Sequence, residues 1–327
     1  MKKIFILLCS IAAIWSCQKA VSESENVFMN ENRIVSLDVS VPDAMTRVAV
    51  NDAQEKQINN IQLFLFNDRG VLEKYLNTDE ISFRLSCTTG AKEIVVFANA
   101  PECNDVRSLS QLEGLYSDLN SNSVGNFVMT GRIAITLSAD VAVEIPVKRL
   151  VAKIVLEKVE NAFTLPQHQS MDFVLKKVYV QNVPAQCAYL TEKFSAPSLW
   201  YNKMSLDENC IDLLADKAVE RKIAYGESYT AIHSFFTYPN GMLQDSVDEV
   251  WCPRKTRFVL ETELGGNVYY YPITLDMVQS NKLYRVSLKV TMPGVDKPEV
   301  SDIKDAYNFQ VVVVEEWEDV DPIEEVI

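Results

Sequence analysis

The chain has 327 residues, of which 48% are hydrophobic and 23% are charged, a composition typical of a packed protein rather than a disordered one. There are 31 Lys and Arg against 45 Asp and Glu, and the net charge of −14 repels a phosphate backbone, so nucleic acid is excluded as an expected partner. The only two histidines, His168 and His233, leave little material for histidine-based metal or acid–base chemistry.

The first seventeen residues, MKKIFILLCSIAAIWSC, have the pattern of an export signal. Two lysines precede an apolar run at 4–14, which is too short to span a bilayer and fits the hydrophobic part of a secretory signal. Ser16 and Cys17 follow it, as in the lipobox of bacterial lipoproteins. We therefore predict a signal peptide over 1–16 and membrane attachment through a lipid on Cys17. The alternative is an ordinary cleaved signal with an incidental cysteine.

Polar residues without periodicity fill 17–33, which predicts a flexible tether. Beyond it, period-two alternation dominates. The first strand is predicted at 34–42, where the apolar residues are Val35, Leu37, Val39 and Val41. Further strands are predicted at 58–66, 81–85, 93–98, 141–147, 150–159, 173–183, 231–238, 256–264, 268–275, 283–291 and 309–314.

One helix interrupts the strands. Asn104 or Asp105 is placed to cap it, and leucines recur at helical spacing at Leu109, Leu112, Leu115 and Leu119. Residues 205–219 read as a second short helix or an irregular insertion.

Many short strands with one or two short helices predict an all-β chain. The length fits two β-sandwich domains in series. No linker marks the boundary, which we place near Pro146 to Leu150, with an N-terminal domain at 34–148 and a C-terminal domain at 149–327.

No motif for a catalytic nucleophile, a zinc protease, a dinucleotide or a phosphate is present, and we predict neither a cofactor nor a metal site. Five cysteines remain after Cys9 and Cys17, an odd number without a CxxC pair, so a disulfide framework is not expected. The abundant acids leave a hydrolase with a carboxylate pair as a remote alternative. Trp200, Tyr201 and the run 269–271 could stack on sugars, although core packing is the simpler interpretation.

The two chain ends are more informative. The last strand, NFQVVVVEEW, contains four consecutive valines, which would promote aggregation in an unpaired strand. This strand should therefore be paired. Taken alone, the first and last strands read as two edge strands of the same molecule.

The order of these segments resembles the fimbrillin family, the subunits of type V pili in Bacteroidetes. The likeness covers nearly the whole chain. The matching pieces are Cys17, the first strand followed by Thr46-Arg47, the segments INNIQLFLFNDRG, EIVVFANAP, FVMTG, KRLVAKIVLEKV, FFTYPNG and NKLYRVSLKVTMPG, and a final Val-rich strand with Trp317.

The resemblance implies two transthyretin-like β-sandwich domains, no enzyme activity, and a place in a cell-surface fimbrium that supports adhesion. It also implies export as an outer-membrane lipoprotein. In this family an arginine-specific protease removes the first strand of shaft subunits. The C-terminal strand of another subunit then fills the groove that is opened.

Carried over to this chain, the resemblance implies cleavage after Arg47, before Val48, because Arg47 lies between the first strand and the next. Arg33 precedes the first strand, so a cut there would release nothing useful. The displaced side chains would be those of Val35, Leu37, Val39 and Val41. The donor strand would span 307–317, with its apolar residues Phe309, Val311, Val312, Val313 and Val314.

The implied partners are other fimbrial subunits, in a homo- or heteropolymer, and the adhesion target stays open. The β-prone C-terminus argues against a tip subunit, and a shaft subunit is favoured over an anchor. The competing hypothesis is a lipid-anchored glycan-binding protein, which would need a cluster of exposed aromatic residues and no cleavable first strand.

Overall fold

The computed structural model describes residues 33–42, 53–190, 193–244, 250–299 and 307–314, the last range by its backbone only. Cys17, Arg47 and Trp317 lie outside these residues. The predicted signal peptide and tether lie outside them as well.

Strands dominate the described chain. They are β1 Ile34–Ser40, β2 Ile61–Asn67, β3 Leu72–Thr78, β4 Ser82–Thr88, β5 Gly90–Ala98, β6 Tyr116–Asp118, β7 Met129–Leu137, β8 Val141–Glu144, β9 Lys148–Arg149, β10 Ala152–Asn161, β11 Phe173–Gln181, β12 Val183–Pro184, β13 Gln186–Ala188, β14 Trp200–Tyr201, β15 Ala215–Asp216, β16 Arg221–Lys222, β17 Ser228–Tyr229, β18 His233–Thr237, β19 Arg257–Leu264, β20 Asn267–Thr274, β21 Leu283–Val290 and β22 Tyr307–Val314.

Helical structure is sparse in the same residues. The two α-helices are α1 Leu109–Glu113 and α2 Pro166–Gln169, and 3-10 turns occur at Gln54–Lys56, Leu119–Ser121 and Asp212–Leu214. Neither α-helix of the described residues is long and apolar enough to cross a membrane. The predicted all-β class is therefore confirmed.

Two pairs of larger sheets organise the strands. In the N-terminal half (residues 34–149), a three-stranded sheet has the order β4-β1-β8 and a five-stranded sheet the order β3-β2-β5-β7-β9. In the C-terminal half (residues 152–314), one sheet runs β17-β10-β21-β22 with β18 also on β10, and the other runs β15-β11-β19-β20 with β16 also on β11. Each of these four sheets thus takes its described strands from one half of the chain, and the change falls near the predicted boundary. Ile34–Ile327 nevertheless form one compact unit, and the division into domains stays a prediction.

Alternation of apolar residues explains why these sheets face one another. In the N-terminal half, β1 buries every second residue, whereas β2 is apolar and buried on both faces and lies between its neighbours β3 and β5. Leu63 and Val96 are fully buried in the same core as Leu37. In the C-terminal half, Phe235 on β18 and Phe258 on β19 belong to opposite sheets, and their ring centroids lie 5.6 Å apart. The sheets are therefore stabilised chiefly by apolar burial between their inner faces.

The two halves are joined by pairing, aromatic contact and charge. β13 pairs with β6 across the halves. The rings of Phe97 and Tyr189 stack with centroids 4.4 Å apart. Near the start of β2, Lys153 Nζ contacts Glu55 Oε1 at 2.8 Å, and the side chains of Lys153 and Glu55 are 13% and 8% exposed. Arg149 Nε donates to the Glu55 carbonyl oxygen at 2.8 Å. Glu55 thus ties the first described turn after residue 52 to the C-terminal half.

A helix is present where the sequence predicted one, but its cap and its length differ from the prediction. Helix α1 begins after the cap Ser108, whose side chain accepts a hydrogen bond from the Gln111 amide, and it ends at Gly114. Leu115 follows α1, and Leu119 begins a 3-10 turn after strand β6. The leucines keep their apolar role, because Leu112 and Leu119 are fully buried, but pairing of β6 with β13 overrides the helical spacing.

Two long strands, β3 and β7, were missed, as were the short strands β6, β9 and β13 to β17, whereas the predicted turns were found. Gly70 has a positive φ of 69° in the turn that joins β2 to β3. Gly265 and Gly266 have φ values of 56° and 84° in the predicted hairpin between β19 and β20. Such angles are readily adopted by glycine and explain why these turns could be read from the sequence.

We expect Lys153→Met to lower the free energy of unfolding by about 3 kcal/mol, because it removes the ion-pair contact of Lys153 with the mostly buried Glu55 carboxylate. Lys158→Met is the matched control on the same strand, since Lys158 is 44% exposed, and it should cost less than about 1 kcal/mol. Urea denaturation measures both. Equal losses in the two variants would contradict the structural role of the Glu55–Lys153 pair.

Candidate functional site

Strand β1 lies in the middle of its sheet. It pairs antiparallel with β4 from Ile34 opposite Thr88 to Ser40 opposite Ser82. On its other side it pairs parallel with β8, with Leu37 opposite Val141. Removing β1 would therefore leave two strands without a neighbour and two rows of backbone groups without partners.

The apolar stripe of β1 is almost completely buried. Val35, Leu37, Val39 and Val41 are 7%, 0%, 2% and 1% exposed, whereas Ile34 at the start is 77% exposed. Burying such a side chain is worth about 1.5–3 kcal/mol, so the four together contribute on the order of 6–12 kcal/mol before entropy is counted. This is comparable with the whole stability of an ordinary domain. The strand, or a substitute for it, is thus essential to the N-terminal core.

The other face of β1 carries a surface ion pair. Arg84 on β4 contacts both carboxylate oxygens of Asp38, at 2.5 and 2.8 Å. The hydrogen bond from Arg84 holds the pKa of the Asp38 carboxyl below its usual value. Both side chains are well exposed, so the pair defines the register of β1 more than it adds stability.

A buried polar group supports the far end of β4. Lys92 Nζ lies 2.6 Å from Glu73 Oε2 and 2.8 Å from Thr88 Oγ1. Burial alone would raise the pKa of Glu73, but hydrogen bonds from Lys92 and Thr88 outweigh it and the pKa is lowered. This network belongs to β3, β4 and β5 and not to β1, so it would persist if β1 left.

Cys87 lies on β4, the strand next to β1 in the same sheet. It is opposite Val35 in the strand register and is 2% exposed. Burial is the main factor that raises the pKa of its thiol, which keeps the thiol in its unreactive protonated form. Cys87 is therefore a natural chemical probe for the presence of β1.

At the other end of the chain, β22 is an edge strand. It pairs antiparallel with β21 alone, from Tyr307 opposite Val290 to Val314 opposite Leu283. The register places the odd-numbered residues of β22 opposite residues of β21 that are buried, namely Tyr284, Val286, Leu288 and Val290. Release of β22 would unpair one side of β21 and break no other strand pair.

The two end strands share one sequence pattern. The odd positions of β22 are Tyr307, Phe309, Val311 and Val313, an apolar stripe of the same length as the stripe of β1. The sequence prediction emphasised the run Val311–Val314 and missed Tyr307 as part of the stripe. Period-two alternation over 307–313 could have identified this stripe. Because every position from 311 to 314 is valine, the alternation is not visible in that half of the strand.

The structure thus places both predicted strands, and it places them in different sheets of different halves. The first is Ile34–Ser40 within the predicted 34–42, and the last is Tyr307–Val314 within the predicted 307–317. Cleavage at Arg47 and lipidation at Cys17 stay predictions, because both residues lie outside the described chain.

Two of the five residues considered for sugar binding are buried, and Tyr201, Tyr269 and Tyr270 are partly exposed. Trp200 is 7% exposed and Tyr271 is fully buried. Tyr116 and Tyr225 are the exposed aromatic residues among those described. His233 is held by Asp216 at 2.9 Å and by the Tyr229 hydroxyl at 2.8 Å, as expected for a satisfied structural histidine.

Truncating the buried stripe should be costly. We expect Leu37→Ala to lower the free energy of unfolding by about 2–5 kcal/mol, because Leu37 is fully buried between Leu85 and Val141. The same strand offers a control in Ile34→Ala, which should change stability by less than about 0.5 kcal/mol at an exposed position. Thermal or urea unfolding of the intact chain distinguishes them. A Leu37→Ala variant as stable as the Ile34→Ala variant would show that β1 is not part of the core.

Comparison with known proteins agrees with this geometry. The family model of the major fimbrial subunit protein (FimA) matches residues 33–144, which include β1, β4 and β8. No curated protein matches the chain.

Solved structures share the fold at low sequence identity. A protein from Bacteroides eggerthii, described as a "putative cell adhesion protein", is 17% identical with a TM-score of 0.68, over 87% of this chain and 97% of that one. A fimbrilin from Porphyromonas gingivalis is 16% identical with a TM-score of 0.60, over 87% and 97%. The tip fimbrial protein Mfa3 of the same species, with a C-terminal truncation, is 14% identical with a TM-score of 0.56, over 86% and 99%. The resemblance to the fimbrillin family is thereby confirmed, in sequence over residues 33–144 and in fold over most of the chain.

Proposed function

We propose that this protein is a shaft subunit of a type V fimbria that assembles by strand exchange after proteolysis. The observation that carries the proposal is the position of β1, which fills the centre of a sheet with four buried side chains. A chain can lose such a strand and stay folded only if another strand replaces it. An edge strand with a matching apolar stripe, β22, is present at the other end of the same chain.

Export and anchoring precede assembly in this scheme. The signal at 1–16 directs the chain out of the cytoplasm, and the lipid on Cys17 holds it at the outer membrane. An arginine-specific protease then hydrolyses the bond between Arg47 and Val48. Water adds across that bond, which leaves a carboxylate on Arg47 and an amine on Val48.

The cut divides the chain between two sheets. β1 belongs to the sheet β4-β1-β8 and β2 to the five-stranded sheet, so the segment 43–52 joins two different layers. After cleavage, β1 is held by strand pairing and apolar contact alone. The new N-terminal segment stays attached through Glu55, which contacts Lys153 and accepts a hydrogen bond from Arg149.

Refilling would use the terminal strand of another subunit. Tyr307, Phe309, Val311 and Val313 would take the place of the β1 stripe, and the backbone of the incoming strand would pair with β4 and β8. The donor lies on the C-terminal half and the acceptor on the N-terminal half. A contact between two different surfaces of identical subunits does not close on itself and propagates a filament.

The competing glycan-binding function has less support. It predicts a cluster of exposed aromatic residues, whereas Trp200 and Tyr271 are buried and the exposed aromatic residues of the described chain are Tyr116 and Tyr225. A hydrolytic function is likewise not favoured, since the related sequences and folds are those of fimbrial and adhesion proteins.

Cleavage at Arg47 should be required for assembly. We expect purified mature Arg47→Gln protein, treated with an arginine-specific protease, to retain residues 34–47 and remain monomeric, because β1 stays covalently attached. The unsubstituted protein should lose the mass of the segment and give a ladder of stable oligomers on an unboiled gel. Intact mass and the gel together provide the measurement.

The control for this experiment is Arg69→Gln, which removes an exposed arginine from the turn after β2. It should be clipped and should polymerise like the unsubstituted protein. A ladder from the Arg47→Gln variant would contradict the role of the cut, and an uncut monomer in every variant would point to an anchor subunit or to the glycan-binding function.

The donor strand should tolerate a charge only at positions outside its apolar stripe. We expect Val311→Asp to abolish the ladder after clipping, because a buried charge opposes strand insertion. Gln310→Asp introduces the same group at the neighbouring position, which lies opposite the half-buried Ser287 rather than the buried Val286, and it should polymerise to within a few-fold of the unsubstituted protein. Equal assembly of the two variants would show that β22 is not the inserted strand.

A further inference from the structure

The segment before the terminal strand takes an unexpected path. After β21 ends at Val290, residues 292–299 pass beside β20, the edge strand of the sheet β15-β11-β19-β20. We call these residues the linker. Val295 forms a two-way backbone bridge with Tyr270 on β20, with N–H to oxygen contacts of 2.8 and 2.9 Å. The Tyr271 hydroxyl donates to the Met292 carbonyl oxygen at 3.0 Å.

Two residues of the linker are buried although the segment is not a regular strand. Val295 and Pro298 of the linker are buried, whereas Asp296 and Lys297 between them are exposed. In the same sheet, Tyr179 on β11 and Val259 on β19 lie opposite each other and are 1% and 0% exposed, although they do not belong to the main core cluster.

Two residues fasten the linker at its ends. At Gly294 the backbones approach so closely that a Cβ atom would lie 2.2 Å from the Tyr270 carbonyl oxygen, so glycine is required there. At the far end Arg257, which is fully buried, donates through Nη1 to the carbonyl oxygens of Pro298 and Glu299. A guanidinium that bonds main-chain oxygens fixes the path of the chain whatever its side chains are.

We propose that Gly294 and Arg257 anchor the root of the donor strand, so that only the chain after Glu299 leaves its own subunit. They act as positioning residues, and this use of them rests on the strand-exchange function proposed above. Seven residues, 300–306, separate Glu299 from Tyr307. An extended chain then limits the distance between the root and the first donor residue to about 29 Å.

The anchor would set the spacing between successive subunits. If the linker were released up to Thr291, sixteen steps of chain would separate the root from Tyr307, and the reach would double to about 58 Å. A longer tether lowers the effective concentration of the donor strand and loosens the geometry of each junction. With the anchor in place, one short tether length is imposed on every junction.

The full-length unclipped protein allows a test that does not require polymerisation. Hydrogen exchange is followed on peptides that cover 266–275, 291–299 and 307–314. We expect Gly294→Ala to accelerate exchange at Val295 and Tyr270 by about tenfold or more while β22 stays protected, because linker and β22 would open separately. Gln310→Pro, which disrupts β22, should give the reverse pattern. Asp296→Ala, at an exposed linker position, is the control and should change neither.

A second variant guards against misfolding of the first. Arg257→Lys keeps the positive charge, but its shorter side chain does not carry the ammonium group to the position of Nη1, which donates to both carbonyl oxygens. This variant should release the 291–299 peptide alone. If Gln310→Pro frees the linker as strongly as β22, the two open as one unit and the proposal is overturned. Protection of the linker in both Gly294→Ala and Arg257→Lys would overturn it as well.

Assembled fibres provide a separate functional readout. Clipped Gly294→Ala protein should still polymerise, since its donor stripe is intact, but its subunit repeat in electron micrographs should be longer and more variable. An unchanged repeat in the presence of a released linker would overturn the proposed role in spacing. A protein that forms no fibres in any variant would refute strand exchange, and the exchange pattern of the monomer would still decide whether the linker is an anchor.

Discussion

The structure depends on the strand that lies between β4 and β8. Three alternate residues of β1 and Val41, which follows it directly, are buried in the N-terminal core, and both backbone edges of the strand are paired. Their burial is worth about as much as the net stability of a domain. Loss of this strand would expose apolar side chains of the core to water. Another strand with the same apolar pattern could bury them again.

Each end strand that the proposed exchange would move adjoins an anchored segment. On the downstream side of the predicted cut, Glu55 contacts Lys153 on β10 of the C-terminal half and Arg149 on β9, at the end of the N-terminal half. On the upstream side of β22, Arg257 holds the carbonyl oxygens at the end of the linker. The proposed strand exchange needs fixed segments next to the two strands that move. Buried arginines bonded to main-chain oxygens, Arg149 at Glu55 and Arg257 at Pro298 and Glu299, hold these segments.

Much of this architecture could be predicted from the sequence because its strands show period-two alternation of apolar residues. The β1 stripe and its burial, the glycine turns at Gly70 and Gly265, and the strand character of the C-terminus follow from local pattern alone. The helix after Asp105 was misjudged because β6 gains more from pairing with a strand some 70 residues later than from helical spacing. Such long-range pairing leaves no local trace.

The linker could not be predicted for a similar reason. Gly294 stands out in a chain with only ten glycines, but its meaning comes from Tyr270, which approaches it from another strand. Arg257 reads as an ordinary strand residue, and its burial depends on the linker that covers it. The central position of β1, which would give the proposed exchange its driving force, likewise appears only once β8 is seen to pair with it in parallel.

The most direct measurement of the central claim is the reactivity of Cys87 along the assembly path. A thiol reagent and peptide mapping by mass spectrometry would compare intact, clipped and polymerised protein, with the buried Cys210 as the internal reference. The account predicts slow labelling of Cys87 in the intact chain, fast labelling when β1 has left, and slow labelling again in the polymer, with Cys210 unchanged throughout. Cys87 that stays protected after β1 is lost, or stays exposed in the polymer, would contradict the replacement of β1 by a donor strand.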